Sequence, residues 1–302
     1  MQPTQPPNTI SIPYLREYLI DEIFKAAGLS ESGWLRKIGG RLFTKPIERF
    51  AAIVCRFDEV IGAEGFPAGA ADALNSFSQH VEVHGAETIP SDGPLIIAGN
   101  HPGSLDGLCV LANLPRQDIR FVVSGVPATE SLPNARNYLI FAPGDKHERM
   151  LAIRSMIRHL QQGGCVLIFP SGRLDPDPDA LPGAEQALDL WSPSLEILLR
   201  RVPDARIVIA ITGGVLAPQV LNHPITRLQK GWRRQKLAEF IQLYRMISNP
   251  HAYDIHPRVT FSTPIVLSIS DTEPRKQEYL PQLIDYAKHT LQVHQSWQPI
   301  DP

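Results

Sequence analysis

The sequence predicts an α/β fold with a mainly parallel central sheet flanked by helices. Two observations carry this. Short apolar runs alternate with helical patterns from about residue 80 onward, and such alternation builds parallel sheets. The runs Leu95-Ile-Ile-Ala-Gly, Cys165-Val-Leu-Ile-Phe and Arg206-Ile-Val-Ile-Ala-Ile are almost continuously apolar, as strands covered on both faces must be. A third observation concerns the start. From Tyr14 to Ser78 the pattern is helical throughout, so a small helical N-terminal region is expected over 1–78, with the α/β domain over 79–302.

The elements follow in order. Residues 1–13 are polar and proline-rich, suiting a frayed tail. Leu15, Tyr18, Leu19, Ile23 and Phe24 recur at helix spacing, as do Ile47, Phe50, Ala51, Val54 and Phe57. Gly28, Gly39-Gly40 and Gly65-Phe66-Pro67 punctuate them. His80-Val-Glu-Val-His alternates like an edge strand. A helix is expected over Leu105–Leu114, strands over Ile119–Val123 and Tyr138–Phe141, and a helix over Lys146–Gln161. Met150, Ile153, Ile157 and Leu160 form the inner stripe of that last helix. Gly163-Gly164 ends it. Ser194–Arg201 reads as a helix, Val259–Ser262 as a last strand, and Pro274–His294 as a closing helix.

Composition excludes several classes. The chain has 302 residues, 43% hydrophobic and 20% charged, with net charge −2. That balance suits a folded globular protein and gives no basic field for nucleic acid. The start has neither a basic nor an apolar segment of the secretory kind, and no apolar run nears the roughly 18–20 residues that span a bilayer. Cys55, Cys109 and Cys165 are odd in number and far apart. They fit neither a disulfide framework nor a zinc motif, and they read as buried reduced thiols. A cytoplasmic location is expected, and no metal or other cofactor.

The chemistry concentrates after two strands. Leu95–Gly99 runs into Asn100-His101-Pro102-Gly103-Ser104-Leu105-Asp106. Five residues along a continuous helix turn through about 140°, so His101 and Asp106 meet only if the histidine precedes the helix and the aspartate lies in its first turn. Pro102 holds His101 extended, Gly103 permits a tight turn, and Ser104 suits an N-cap. Asp106 can then orient one imidazole nitrogen while the other accepts a proton. This is the base-plus-orienter pair of hydrolase triads without the protein nucleophile. Backbone N–H groups near Pro102-Gly103 are expected at the oxyanion.

Asn-His-Pro-Gly-Ser-Leu-Asp resembles the first motif of the phospholipid/glycerol acyltransferases, an asparagine-histidine, four residues and an aspartate. The resemblance covers roughly residues 80–265. It implies a glycerol-3-phosphate acyltransferase-like fold, His101 as general base and Asp106 as its support, with Asn100, Gly103 and Ser104 around the substrate. Pro170-Ser171-Gly172-Arg173 stands where the family places Phe-Pro-Glu-Gly-Thr-Arg, which helps bind the acceptor's phosphate. Ser171 replaces the glutamate, and Arg173 directly follows Gly172. The family's second-motif arginine is missing after Tyr138–Gly144, and Lys146 and Arg149 are the substitutes.

The resemblance thus implies transfer of a fatty acyl group from acyl-CoA or acyl-carrier protein to a phosphorylated glycerol or lyso-lipid hydroxyl. The residues leave two alternatives open. One is an acyl ester hydrolase, although no Gly-x-Ser-x-Gly is present. The other is a non-catalytic lipid-binding protein on the same fold. Two basic amphipathic stretches, 34–56 and 227–245, suit an anionic membrane surface or an acidic carrier protein. A peripheral position on the inner face of the cell membrane is expected.

Overall fold

The computed structural model describes residues 33–78, 80–124, 131–142, 144–250, 252–267 and 279–297, with the side chains of 33–44 excepted. The expected tail over 1–13, the helix from Tyr14 and the stretch Pro274–Glu278 lie outside the described residues.

Helix α1 (Gly33–Glu64) leads into α2 (Phe66–Leu74). The break expected at Gly39-Gly40 does not occur, and Pro46 also lies inside α1. A helical glycine costs only about 1 kcal/mol, and a continuous buried face follows, with Ile47, Ala51 and Ile61 nearly inaccessible. The chain turns at Gly65, whose φ of 94° does end the helix.

The strands are β1 (Glu82–His84), β2 (Leu95–Gly99), β3 (Ile119–Val123), β4 (Leu139–Phe141), β5 (Cys165–Ile168), β6 (Arg206–Gly213) and β7 (Arg258–Phe261). They form one sheet in the order β1-β7-β6-β2-β5-β3-β4. The five from β6 to β4 run parallel. β7 runs antiparallel to β6, and β1 pairs parallel with β7 at the edge. Both faces are covered, as the apolar strands require. Along β2, Leu95 and Ile97 join one hydrophobic cluster while Ile96 and Ala98 join the other, the two-residue alternation of a strand.

The remaining helices are α3 (Asp106–Leu111), α4 (Lys146–Gln161), α5 (Ala184–Leu188), α6 (Ser194–Arg201), α7 (Pro218–Leu221), α8 (Pro224–Arg227), α9 (Gly231–Ser248) and α10 (Tyr279–Ser296). Residues of α1, α2, α3 and α9 build one cluster, and those of α4, α6 and α10 the other. The N-terminal helices thus share a core with the sheet: Ile61 and Phe66 cluster with Leu95 and Ile97.

Expectations for α3 and α4 are corrected. α3 is shorter than Leu105–Leu114 and has Leu105, not Ser104, at its N-cap, with no side-chain cap. On α4 the buried side chains are Ala152, Met156 and Leu160; Ile153 and Ile157 are half-buried and Met150 is exposed. The inner stripe is therefore rotated, because α4 has more apolar positions than its contact can cover. α9 was legible only as part of a basic stretch. It buries Gln235, Ala238, Gln242 and Met246, and its two glutamines disguise an inward face as a polar one. Cys109 and Cys165 are buried thiols whose pKa burial raises.

Candidate active site

The carboxyl ends of β2, β5 and β6 lie side by side, and ligands in open parallel sheets sit beyond such ends. Phe169 to Asp177 follow β5, directly beside the His101 loop. Gly214 to Ala217 follow β6 on its other side.

Asn100 fastens the end of β2. Its amide donates to the Thr212 carbonyl at 2.9 Å and its carbonyl accepts the Thr212 N–H at 2.8 Å. It is buried, and both of its amide ends are engaged by β6. Asn100 therefore shapes the loop from below.

His101 comes next. Its Nδ1 lies 2.7 Å from Oδ2 of Asp106. The same oxygen accepts the Gly103 N–H at 2.9 Å, and the other carboxylate oxygen accepts from Gly107 N–H. Asp106 is almost fully buried, whereas the His101 side chain is 31% exposed. The carboxylate is thus locked by two backbone donors in the first turn of α3, and the imidazole keeps its Nε2 edge for a reactant. The Gly103 amide, expected at an oxyanion, is already donated to Asp106. Gly103 does not take a positive φ either. A Cβ there would stand 3.4 Å from Glu239 Oε1 and 3.5 Å from Val215, ordinary contact distances, so α9 packs close over this loop without requiring a glycine.

The ring of Phe169 stacks on His101 at 4.8 Å and 9°, and Phe121 meets Phe169 edge-on at 5.5 Å. The imidazole plane is therefore held from the side as well as from below.

Asp175 is one residue that sequence reasoning missed. Its Oδ2 accepts the His101 N–H at 2.9 Å and the Ser171 hydroxyl at 3.0 Å, and its own N–H donates to the His101 carbonyl at 2.8 Å. Both main-chain groups of His101 are thus held by one aspartate. The run Asp175-Pro-Asp-Pro-Asp179 was the available signal, since aspartates beside prolines shape loops. Asp177 also closes the floor by accepting the N–H groups of Asp179, Gly214 and Leu216. From α9, Gln235 donates to the Pro102 and Asp175 carbonyls at 2.9 and 2.6 Å. Glu239 accepts the Ser104 hydroxyl at 2.5 Å. No local signal reveals these two, which lie far along the chain from the loops that they meet.

These carboxylates set the electrostatics. Burial lowers the pKa of His101, but the charge and hydrogen bond of Asp106 outweigh it, with Glu239 and Asp175 adding, and the net value rises to about 9. Burial raises Asp175 to about 6 against the opposing bonds from His101 and Ser171. Burial likewise raises Glu239.

The β5 loop places the other candidates. Gly172 has a φ of 63°, the left-handed region that glycine enters freely, and no atom stands within 4 Å of a Cβ built there. Ser171 turns inward to Asp175 and to the Arg173 carbonyl. Arg173 is exposed. Lys146 and Arg149 are exposed at the start of α4, where Asp145 caps the helix. They follow β4, three strands from β2, a lateral offset of roughly 14 Å. The fold therefore groups His101, Asp106, Ser171, Gly172 and Arg173 in adjacent loops and sets Lys146 and Arg149 apart.

Residues 80–192 match the family model described as Acyltransferase, a span that contains both motif loops. Among solved structures, the chain is similar to the 1-acyl-sn-glycerophosphate (LPA) acyltransferase, PlsC, from Thermotoga maritima. Identity is 15% and the TM-score 0.43, over 95% of this chain and 99% of that one. The comparison with curated proteins gives no match.

Proposed function

We propose that this chain, an acyltransferase-family protein through residues 80–192, uses His101 as the general base that moves a fatty acyl group from a thioester donor to the hydroxyl of a phosphorylated glycerol or lyso-lipid. The single observation behind this reading is the 2.7 Å contact between His101 Nδ1 and Asp106, with the carboxylate pinned by Gly103 and Gly107.

Nε2 of His101 takes the proton from the acceptor hydroxyl. The oxygen attacks the thioester carbonyl and forms a tetrahedral intermediate. Its collapse breaks the carbon–sulfur bond, and the imidazolium returns its proton to the leaving thiolate. Asp106 holds the ring in one tautomer and stabilises its cationic form. Arg173, exposed on the adjacent loop, is the cation that would meet the acceptor phosphate, and Gly172 leaves room beside it. Lys146 and Arg149 suit a more distant part of a long substrate. The donor thiol belongs to coenzyme A or acyl-carrier protein.

Ser104 donates to Glu239 and Ser171 to Asp175. Neither hydroxyl is engaged by His101, which supports the acceptor's own hydroxyl, rather than a serine, as nucleophile. A lipid acceptor suits an enzyme at a membrane surface, and a coenzyme A or carrier-protein donor suits its inner face. No helix among the described residues is long and apolar enough to cross a membrane.

The decisive experiment offers the purified protein labelled acyl-CoA and acyl-carrier protein with glycerol-3-phosphate and lyso-lipid acceptors. His101→Ala should lose at least about 10²–10⁴-fold in turnover while its circular dichroism and melting stay near wild type. Near-normal transfer by that variant, or an acyl-serine found by mass spectrometry, refutes the assignment.

A further inference from the structure

α8 and the first half of α9 carry a surface that the catalytic arrangement does not explain. Ile225, Leu228, Trp232 and Phe240 are 53%, 81%, 61% and 54% exposed. Large apolar side chains exposed together mark a contact face. Arg227, Lys230, Arg233 and Lys236 are exposed among them, and Arg233 lies over the Trp232 ring at 5.7 Å. Between 224 and 240 the sole acid is Glu239, which Ser104 engages.

The helix explains the arrangement. Gln235, Ala238, Gln242 and Met246 bury one side of α9. Trp232, Lys236 and Phe240 recur every fourth residue and fall on its outer side. An apolar ridge with a tryptophan and flanking cations fits the boundary between lipid headgroups and acyl chains. An acidic carrier protein would complement the cations but would leave the four apolar side chains without a role. α9 also reaches the catalytic loops, because Gln235 binds the carbonyls of Pro102 and Asp175 on either side of the His101 turn.

We propose that α8 and the first half of α9 form the face on which this protein docks to an anionic lipid bilayer, with Leu228 and Trp232 entering the interface and Lys230 and Arg233 meeting lipid phosphates. This deepens the reading of a membrane-lipid acceptor, but its test needs no turnover.

The full chain is sedimented with vesicles of phosphatidylcholine containing phosphatidylglycerol, and with vesicles of phosphatidylcholine alone. Binding should favour the anionic vesicles and weaken with salt. Lys230→Glu with Arg233→Glu should weaken it at least about tenfold, and so should Leu228→Ser with Trp232→Ser. Brominated acyl chains should quench wild-type fluorescence, and the conservative Trp232→Phe should remove most of that quenching. His101→Ala should bind as wild type does, so a failed catalytic assignment and a failed docking face are separable. Unchanged binding by the charge-reversed protein overturns the proposal. So does quenching that survives Trp232→Phe, or loss of binding to an acidic carrier protein with vesicle binding intact.

Discussion

Asp106 serves three partners at once: the His101 ring and the amides of Gly103 and Gly107. Its charge is also the leading cause that raises the His101 pKa to about 9 against burial. A general base must be neutral to act. The rate should therefore climb about tenfold per pH unit below that value and level off near pH 9. Asp106→Asn should cut turnover sharply and move the midpoint of the residual activity down toward the ordinary imidazole range. A pH–rate profile measures both, and an unmoved midpoint would show that Asp106 does not control His101. For stability the sign runs the other way. The folded protein holds a proton that the unfolded chain releases near pH 6.5, so this contribution is complete below 6.5 and is lost as pH rises through about 9.

α9 is the element that turns two adjacent loops into one surface. Gln235 satisfies the carbonyls of Pro102 and Asp175, both beside the His101 turn. Gln235→Leu keeps the bulk and removes both donors. Each buried carbonyl left unmet should cost about 1–3 kcal/mol, seen as a lower denaturation midpoint. If Gln235 positions His101, kcat should fall more than the acceptor KM rises. An unchanged kcat in a destabilised protein would assign Gln235 to packing alone. The sequence pattern missed this role because a glutamine reads as solvent-facing, and only a partner from distant chain makes it an inward one.

At the scale of the whole molecule, the sheet separates a face that serves the site from one that supports it. Leu283 of α10 is fully buried on the face opposite α3 and α9. Leu283→Ala should cost about 2–5 kcal/mol in chemical denaturation and leave the pH–rate profile of the folded fraction unchanged. A shifted profile would mean that the two faces are coupled through the sheet.

Local chemistry was enough for much of this protein. The apolar runs announced buried strands, since they are short, rich in β-branched residues and bounded by turn residues. The end of α4 followed from Gly163-Gly164, and α6 spans the residues expected of it. A histidine before a proline and an aspartate at the start of a helix could meet by geometry alone, because the contact spans five residues. The tertiary structure decided what distant segments contribute. Asp175 holds the His101 backbone only because β5 is hydrogen-bonded beside β2. Gln235 and Glu239 reach the site only because α9 packs across it. Asn100, polar and next to the histidine, is taken by β6. Lys146 and Arg149 lie apart because β4 is added beyond β3. Periodicity and capping act within a few residues of chain, whereas strand order is set by burial summed over the whole molecule.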